Sequence, residues 1–535
     1  MRKKYTYLLT LVLLVWGTSC NDFLDETPDN RVELSSVKAL NQLLLGSYPN
    51  NMPVVVAEHL SDNVDRRTGI PSLTANNVYQ DEVYAWADIK DESGNDAPKD
   101  FWGAAYASIA AANQVLQVIE ANDNGLEYQA LKGEALMMRA FNHFQMVNMY
   151  GLHYNETTSE TDPGIVYMEE PETGLNPHYD RHSVAEVYRR IERDIEEGLP
   201  LISEDAYQFA RYRFNTQAAL AFAARFNLYY GKYDKVIEYA NEIFGSDASG
   251  LMRDKLAIRT MTRPSAPGDM AKYFTSINEK ANFLVITPAS LGRTFFNNYS
   301  AGKLYQLSAF VANNETIRSA GPWGTYNTTT ATATFNIHSY SYASSSGYIA
   351  NPVVSFEQKK ANAAATTGVF YSAYVTFWAE ETLLCRAEAY IAKGEFDKAT
   401  ADLALWMKYQ IDPSITTVLT RELINDYYGN IDYFQPGLPT VKKKLNPLNF
   451  TISSVEQENF MQCLVHFRRI ETTSLGLRWY DIKRLGIEIQ RRDILKAGSG
   501  DVFERVTDEL KLNDPRRALQ IPPDVLSAGM TPTPR

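Results

Sequence analysis

Cysteine is scarce, with three in 535 residues, too few for a disulfide scaffold. Positive charge is in deficit. Lys and Arg number 52 against 64 Asp and Glu, a net charge of −12, which argues against a general nucleic-acid binder, whose footprint is basic. Long apolar runs are missing apart from one at the N-terminus, which excludes a polytopic membrane protein. No G-x-S-x-G elbow, H-E-x-x-H pair, P-loop, G-x-G-x-x-G or C-x-x-C occurs, so the common signatures of nucleophilic, zinc and nucleotide chemistry are absent. His178 and His182 are four apart, but Pro177 precedes them and a helix-capping Ser183 follows, which puts both in a loop with no third ligand in view. No metal and no cofactor are expected. What remains is ordinary globular composition, 45% hydrophobic and 22% charged, incompatible with disorder or a collagen-like chain. The length admits about three to five ordinary domains, or one large helical repeat domain with insertions.

Residues 1–20 read MRKKYTYLLTLVLLVWGTSC. A basic start (Arg2, Lys3, Lys4) leads into an apolar stretch from Tyr5 to Trp16, too short to span a bilayer, and the segment reads as a secretory signal peptide over residues 1–19. Gly17-Thr18-Ser19-Cys20 resembles a bacterial lipobox, in which Cys20 becomes the lipidated N-terminus; ordinary secretion with a chance cysteine is the alternative. Residues 20–35 open with an acidic, polar run, Asn21 to Asn30, suited to a tether between lipid and body. Cys385 and Cys463 lie in helix-like apolar stretches and are expected as buried free thiols, with a disulfide between them as the alternative.

Helical periodicity dominates residues 36–250. Phe101 to Glu120 aligns Ala105, Ile109, Ala112, Leu116 and Ile119 on one face, and Leu131 to Met149 repeats the pattern up to Gly151. Small residues such as Ala105, Ala112, Gly133 and Ala140 allow close helix approach. Ser183 and Glu186 form a capping box for a helix ending near Gly198 and Pro200. Asn215 starts another helix that stops at Gly231, with a partner from Tyr233 to Phe244. The run Leu228 to Val236 resembles Ala389 to Ala399: aliphatic helix, Gly, charge, aromatic, Asp-Lys, second helix. That is a tetratricopeptide-type hairpin, here without constant spacing, so the scaffold reads as helical repeats interrupted by insertions.

Residues 251–375 lose this periodicity and accumulate Thr, Ser, Asn, Gly and Tyr. Asn282 to Ile286 reads as a strand, and Gly321 to Ala350 is uncharged, turn-rich and aromatic. Such an excursion in a helical protein marks a functional insertion of loops and short strands. Helices return over 376–535, and several prolines after 514 suggest irregular chain wrapping the body. Flat aromatic rings stack on the apolar C–H face of sugars. Trp86, in the polar stretch Tyr84-Ala85-Trp86-Ala87-Asp88, and Trp323, between Pro322 and Gly324, are placed for exposure. With Tyr84 and Tyr326 they are the candidate stacking surfaces, and Asp62 and Asn63 are candidate polar partners. Trp323→Ala is expected to weaken binding without unfolding the chain. Trp102, Trp378, Trp406 and Trp479 occupy apolar positions and belong to the core. The adjacent acids Glu380 and Glu381 do not share a helix face and read as a solvated surface rather than a catalytic pair.

Spaced motifs across most of the chain resemble one family, the SusD/RagB outer-membrane lipoproteins of Bacteroidetes nutrient-uptake systems. They include Cys20 with Phe23-Leu24-Asp25, then Leu60-Ser61-Asp62-Asn63, then Trp102, Tyr106, Ile109 and Asn113. Gly133-Glu134-Ala135, Arg139-Ala140 and Tyr150-Gly151 follow. The most specific piece is Arg468-Arg469-Ile470-Glu471 with Gly476 and Arg478-Trp479-Tyr480-Asp481-Ile482-Lys483-Arg484, and Leu519-Gln520-Ile521-Pro522 closes the series. Leu475, Trp378 and the ending from Gly529 depart from the family pattern. The resemblance implies a mostly helical fold with about four tetratricopeptide-like hairpins and a loop-rich, ligand-facing remainder. It implies a lipid-anchored protein facing the cell exterior, with a glycan ligand delivered to a SusC-like TonB-dependent transporter that it caps as a hinged lid. It implies no catalytic residues. Peptide uptake of the RagB type is the nearest alternative, and a secreted glycoside hydrolase a more distant one.

Overall fold

In the computed structural model, which describes residues 36–69, 79–90, 92, 94–122, 125–172, 174, 178–205, 207–260, 267–292, 304–326, 334–337, 340–342, 348–360, 368–497 and 500–535, helices carry the fold. The signal peptide, Cys20 and the tether lie outside the described residues. The first helices are α1 (Val37–Gly46), capped by the Ser36 side chain, and α2 (Val54–Leu60), buried along its whole length. Strand β1 (Asp65–Thr68) and α3 (Tyr79–Tyr84) follow. Helix α4 (Pro98–Ala121) opens on a proline, whose missing N–H costs nothing in a first turn. It packs on α5 (Gln129–Tyr150), which in turn packs on α6 (Val184–Gly198). At that second contact a Cβ on Gly133 would meet the Gly198 carbonyl oxygen at 2.9 Å, so the small residue noted in the sequence is what lets the backbones approach. The capping box forms only in part. The Ser183 hydroxyl accepts from the Glu186 amide at 3.2 Å, but the Glu186 carboxylate turns to Arg189 and Arg190 instead.

Asn215 caps α7 (Thr216–Tyr230), its side chain accepting from the Ala218 amide, and α8 (Tyr233–Phe244) returns along it. The turn rests on Gly231 at φ 79°, and its sequence counterpart Gly394 adopts φ 74° between α12 (Ala379–Ala392) and α13 (Phe396–Gln410). The internal repeat is thus a structural one. Helices α14 (Arg421–Gly429) and α15 (Val455–Thr472) form a further pair, and α16 (Arg478–Arg484) and α17 (Pro523–Ser527) complete the helical series. With α4–α5, α7–α8 and α12–α13, this gives four consecutive helix pairs among the described residues. Phe141 and Phe144 of α5 meet Phe214, Phe222, Phe226 and Phe377 in an aromatic centre with ring centroids 5.6–6.3 Å apart. Each buried ring contributes about 1.5–3 kcal/mol. Cys385 and Cys463 are both buried and free.

The region from 251 to 375 holds the short helices α9 (Lys255–Thr260), α10 (Pro267–Phe274) and α11 (Ala309–Glu315) among strands. Strand β2 (Asn282–Ile286) lies where the sequence indicates it, followed by β3 (Tyr305–Gln306), β4 (Tyr340–Tyr342), β5 (Tyr348–Ala350), β6 (Ser355–Lys360) and β7 (Gly368–Trp378). One sheet has the order β2-β7-β6, all antiparallel. A second has the order β3-β1-β8-β9 and draws on both ends of the chain, with β8 (Ile489–Ala497) parallel to β1 and antiparallel to β9 (Gly500–Leu510). Trp378 ends β7 and is buried, as are Trp102, Trp406 and Trp479. No described helix is long and apolar enough to cross a membrane.

One expectation fails inside the fold. Glu380 and Glu381 are not on a solvated surface; both are buried. Glu381 receives the Arg225 guanidinium through two bonds of 3.0–3.1 Å and lies 3.5 Å from Arg468, while Glu380 accepts from the Arg253 amide at 2.7 Å. Adjacent residues point to different neighbours, and here cations on both sides replace water.

Candidate functional site

Four of the residues singled out in the sequence come together, but inside the protein. Asp62, 5% exposed, takes a two-point contact from Arg478 at 2.8 and 3.0 Å and lies 3.4 Å from both Arg469 and Lys443. Burial opposes its ionisation, yet the fields of Arg469, Arg478 and Lys443 hold its carboxyl well below the usual range. Asn63 donates to Glu58 and accepts from Arg469, both at 2.9 Å. Tyr84 stacks on Tyr305 at 4.4 Å and donates to the Arg492 carbonyl. Trp86, 2% exposed at φ 52°, donates its indole N–H to the Leu60 carbonyl at 3.0 Å. Its ring lies under Arg491 at 4.0 Å and near Arg516 at 5.6 Å. Arg491 also donates to the carbonyls of His59, Leu60 and Ser61, neutralising the negative end of α2. The exposed stacking surface expected at Trp86 and Tyr84 is therefore corrected. Cations from the far end of the chain cover both rings, Asp62 is spent on internal ion pairs and Asn63 on internal hydrogen bonds.

Trp323 is likewise buried, 5% exposed. Its ring packs on Phe335, His466 and Phe467 at 5.2–5.6 Å, and its N–H donates to the Ser319 carbonyl at 3.3 Å. The expected outward platform is corrected here too, because a Pro-Gly turn that looks exposed in sequence folds its indole onto α15. Tyr326 is half-buried beside Phe335 and Arg318 and keeps an accessible face. His466 under Trp323 and Arg469 under Asn63 are one helical turn apart on α15, so both clusters rest on the same helix. His182 accepts from the Tyr167 amide at 3.1 Å, and His178 is exposed.

A cleft of about 790 Å³ opens on the β2-β7-β6 sheet, within the usual range of ligand sites. The pleat builds it. Opposed residues of antiparallel strands share a face, and the register pairs Ser355 with Ala373, Glu357 with Tyr371 and Lys359 with Val369. That row forms the floor, extended by Val285 and Thr287 of the β2 edge. The alternate row turns inward: Ser372 bonds the Ser290 carbonyl, and Tyr374 bonds the Ser290 hydroxyl. Two walls close the floor. Tyr212, 37% exposed, stands on one side, its hydroxyl held above its usual pKa by partial burial and by the Glu357 carboxylate. On the other, α10 presents Lys272, and just past the helix end follows Thr275, whose hydroxyl bonds Ser355 at 2.6 Å. Two ring faces among hydroxyls, a carboxylate and two ammonium groups suit a flat polar ligand with apolar C–H faces.

The sequence marked residues 251–375 but not these residues. Ser355-Phe356-Glu357-Gln358-Lys359 holds a single apolar residue and shows no strand alternation, so it passes for loop. Tyr212 lies outside that segment altogether. A smaller pocket of about 270 Å³ lies on α4, where Trp102, Ile109, Met168, Val525 and Met530 meet the polar groups of Asn113, Glu170, Glu172 and Tyr179; it is about a third of the volume of the cleft on the sheet. No group of three or more His, Cys, Asp or Glu side chains is placed to hold a metal among the described residues.

Residues 22–228 match a SusD-like family described as starch-binding, associating with outer membrane. Solved structures from Bacteroides match nearly the whole chain. A candidate sugar-binding protein of Bacteroides vulgatus ATCC 8482 aligns with a TM-score of 0.66 and 18% identity over 94% of this chain and 99% of its own. A SusD superfamily protein of Bacteroides thetaiotaomicron VPI-5482 gives 0.61 and 15% over 93% and 99%. A SusD-like carbohydrate-binding protein of B. vulgatus ATCC 8482 gives 0.60 and 14% over 92% and 96%. At these identities the structural likeness establishes the fold. Comparison with curated proteins gives no match.

Proposed function

We propose that this chain, a member of the SusD-like family, captures carbohydrate non-covalently in the cleft on the β2-β7-β6 sheet. It is a binding protein and not an enzyme. The observation that carries the reading is the pairing of two accessible tyrosines, Tyr212 and Tyr371, with polar side chains on one open cleft. Tyrosine combines an apolar ring with a polar tip, which suits a ligand offering both kinds of surface. Further support comes from the family's description as starch-binding at the outer membrane and from a carbohydrate-binding protein of the same fold. Acylation at Cys20 would hold the protein on the outer membrane facing the exterior, and bound glycan would pass to a SusC-like TonB-dependent transporter. A ligand promotes closure over such a transporter only by its differential affinity for the closed state. Tyr326 is a subsidiary candidate for ligand contact.

Calorimetry on the full-length protein in detergent, with a panel of neutral and charged oligosaccharides and with peptide pools, tests this. Tyr371→Ala and Tyr212→Ala are each expected to weaken glycan binding about tenfold, the loss of roughly 1.4 kcal/mol, with the melting temperature nearly unchanged. Full affinity in the folded double variant would remove the cleft from the site. Heat with peptides and none with glycans would favour the RagB-type reading instead.

A further inference from the structure

The cleft departs in charge from the molecule around it. The chain carries −12 overall, and some of its surface cations, among them Arg189, Lys235, Lys398 and Arg421, stand in ion pairs. In the cleft, Lys272 and Lys359 face one carboxylate, Glu357, and among the described residues none of the three is in an ion pair. Their placement is fixed rather than incidental. Lys359 is on the floor row with Glu357, held by its pairing with Val369. Lys272 lies near the end of α10, just before Thr275, which is tied to Ser355 at the start of the same row. Two ammonium groups on different elements thus flank a floor carrying Tyr371, while Tyr212 sits beside the single acid.

We propose that the glycan taken by this cleft is anionic, carrying a carboxylate or sulfate ester that Lys272 and Lys359 engage while the sugar ring lies on Tyr371. This rests on the reading of the cleft as the carbohydrate site. Exposed lysines act as hydrated point charges, so the preference is electrostatic and salt-sensitive, and a uronate and a sulfate ester meet the same two groups.

The test is calorimetry on the full-length protein with three hexasaccharides: an oligogalacturonide, a chondroitin sulfate oligomer and maltohexaose. The two anionic probes separate carboxylate from sulfate as the source of charge, and a preference for either supports the inference. The expected result at low salt is affinity about tenfold above that for maltohexaose, shrinking several-fold at 0.5 M NaCl. Lys272→Gln with Lys359→Gln should abolish the difference, lowering affinity for the anionic probes to that for maltohexaose, whereas Glu357→Gln should strengthen the anionic probe. Equal, salt-insensitive affinity for all three, still dependent on Tyr371, would overturn the anionic preference and leave the cleft as a sugar site. Absence of binding to any glycan, or binding indifferent to Tyr212→Ala and Tyr371→Ala, would overturn both.

Discussion

Asp62 is surrounded by Arg469, Arg478 and Lys443, and each of these cations is itself buried. Glu315 extends the network, accepting from Lys443, Arg469 and Arg492 at 2.8–2.9 Å. Charges removed from water persist only with their partners in place, and deleting one partner strands the rest. Asp62→Ala is therefore expected to cost about 3–5 kcal/mol, read as a lowered urea midpoint. Trp86→Ala and Trp323→Ala should cost about 3–5 kcal/mol as large core truncations, with glycan affinity of the folded fraction unchanged. Affinity lost without stability would return these tryptophans to the binding site. The sequence named both halves of this network, Leu60 to Asn63 and Arg468 to Arg484, without showing that they touch. No local spacing encodes an Asp62–Arg478 contact, and polar neighbours made Trp86 look exposed because its covering arginines lie some 400 positions away.

The helix pairs were legible because their information is local. A 3.6-residue apolar period with glycine or proline at its ends places the helix of Phe101 to Glu120 within three residues of α4 at either end. The Gly-stopped hairpins are equally local, and they offer a paired test. Gly231 and Gly394 both occupy left-handed backbone, where an L side chain costs about 1–2 kcal/mol. A Cβ at Gly231 would also meet the Asn449 Cβ at 3.0 Å, whereas Gly394 faces open space. Gly231→Ala should thus lower the thermal midpoint more than Gly394→Ala; equal losses would mean that Asn449 yields freely. Strands were less legible. Half of β7 is buried on both faces, which erases the alternation that identifies a strand, and β6 enters the proposed cleft only through the register that sets Glu357 beside Tyr371.

At the scale of the molecule, the segments 36–250, 251–375 and 376–535 are bound through their charged interior. Arg225 reaches Glu381, Asp65 reaches Arg492, Glu315 reaches Arg469, and the Leu519 amide donates to the Met149 carbonyl. One cooperative unfolding transition is expected. Its pH dependence follows from the buried acids. Burial opposes ionisation of Asp62, Glu381 and Asp481, but flanking arginines outweigh it and lower all three. Acids with lowered folded pKa stabilise fully above their unfolded values near pH 4 and cease to do so as pH falls through the folded values. Glu58, Asp65, Glu380 and Asp402, raised chiefly by burial, act in the opposite sense. Urea midpoints followed by circular dichroism should hold steady above about pH 5 and fall progressively below about pH 4; a midpoint unchanged between about pH 6 and pH 3 would show that these acids add nothing to stability. The parallel pairing of β1 with β8, Arg66 against Asp493, carries a consequence in time. Synthesis proceeds at about 5–20 residues per second, so the first strand waits on the order of 20–90 s for its neighbour to exist. Until then the nascent chain holds Asp62 and Asp65 without their counter-ions, and the N-terminal helices cannot settle into their final seat. The chain is thereby kept unfinished, and still threadable, until almost all of it has been made.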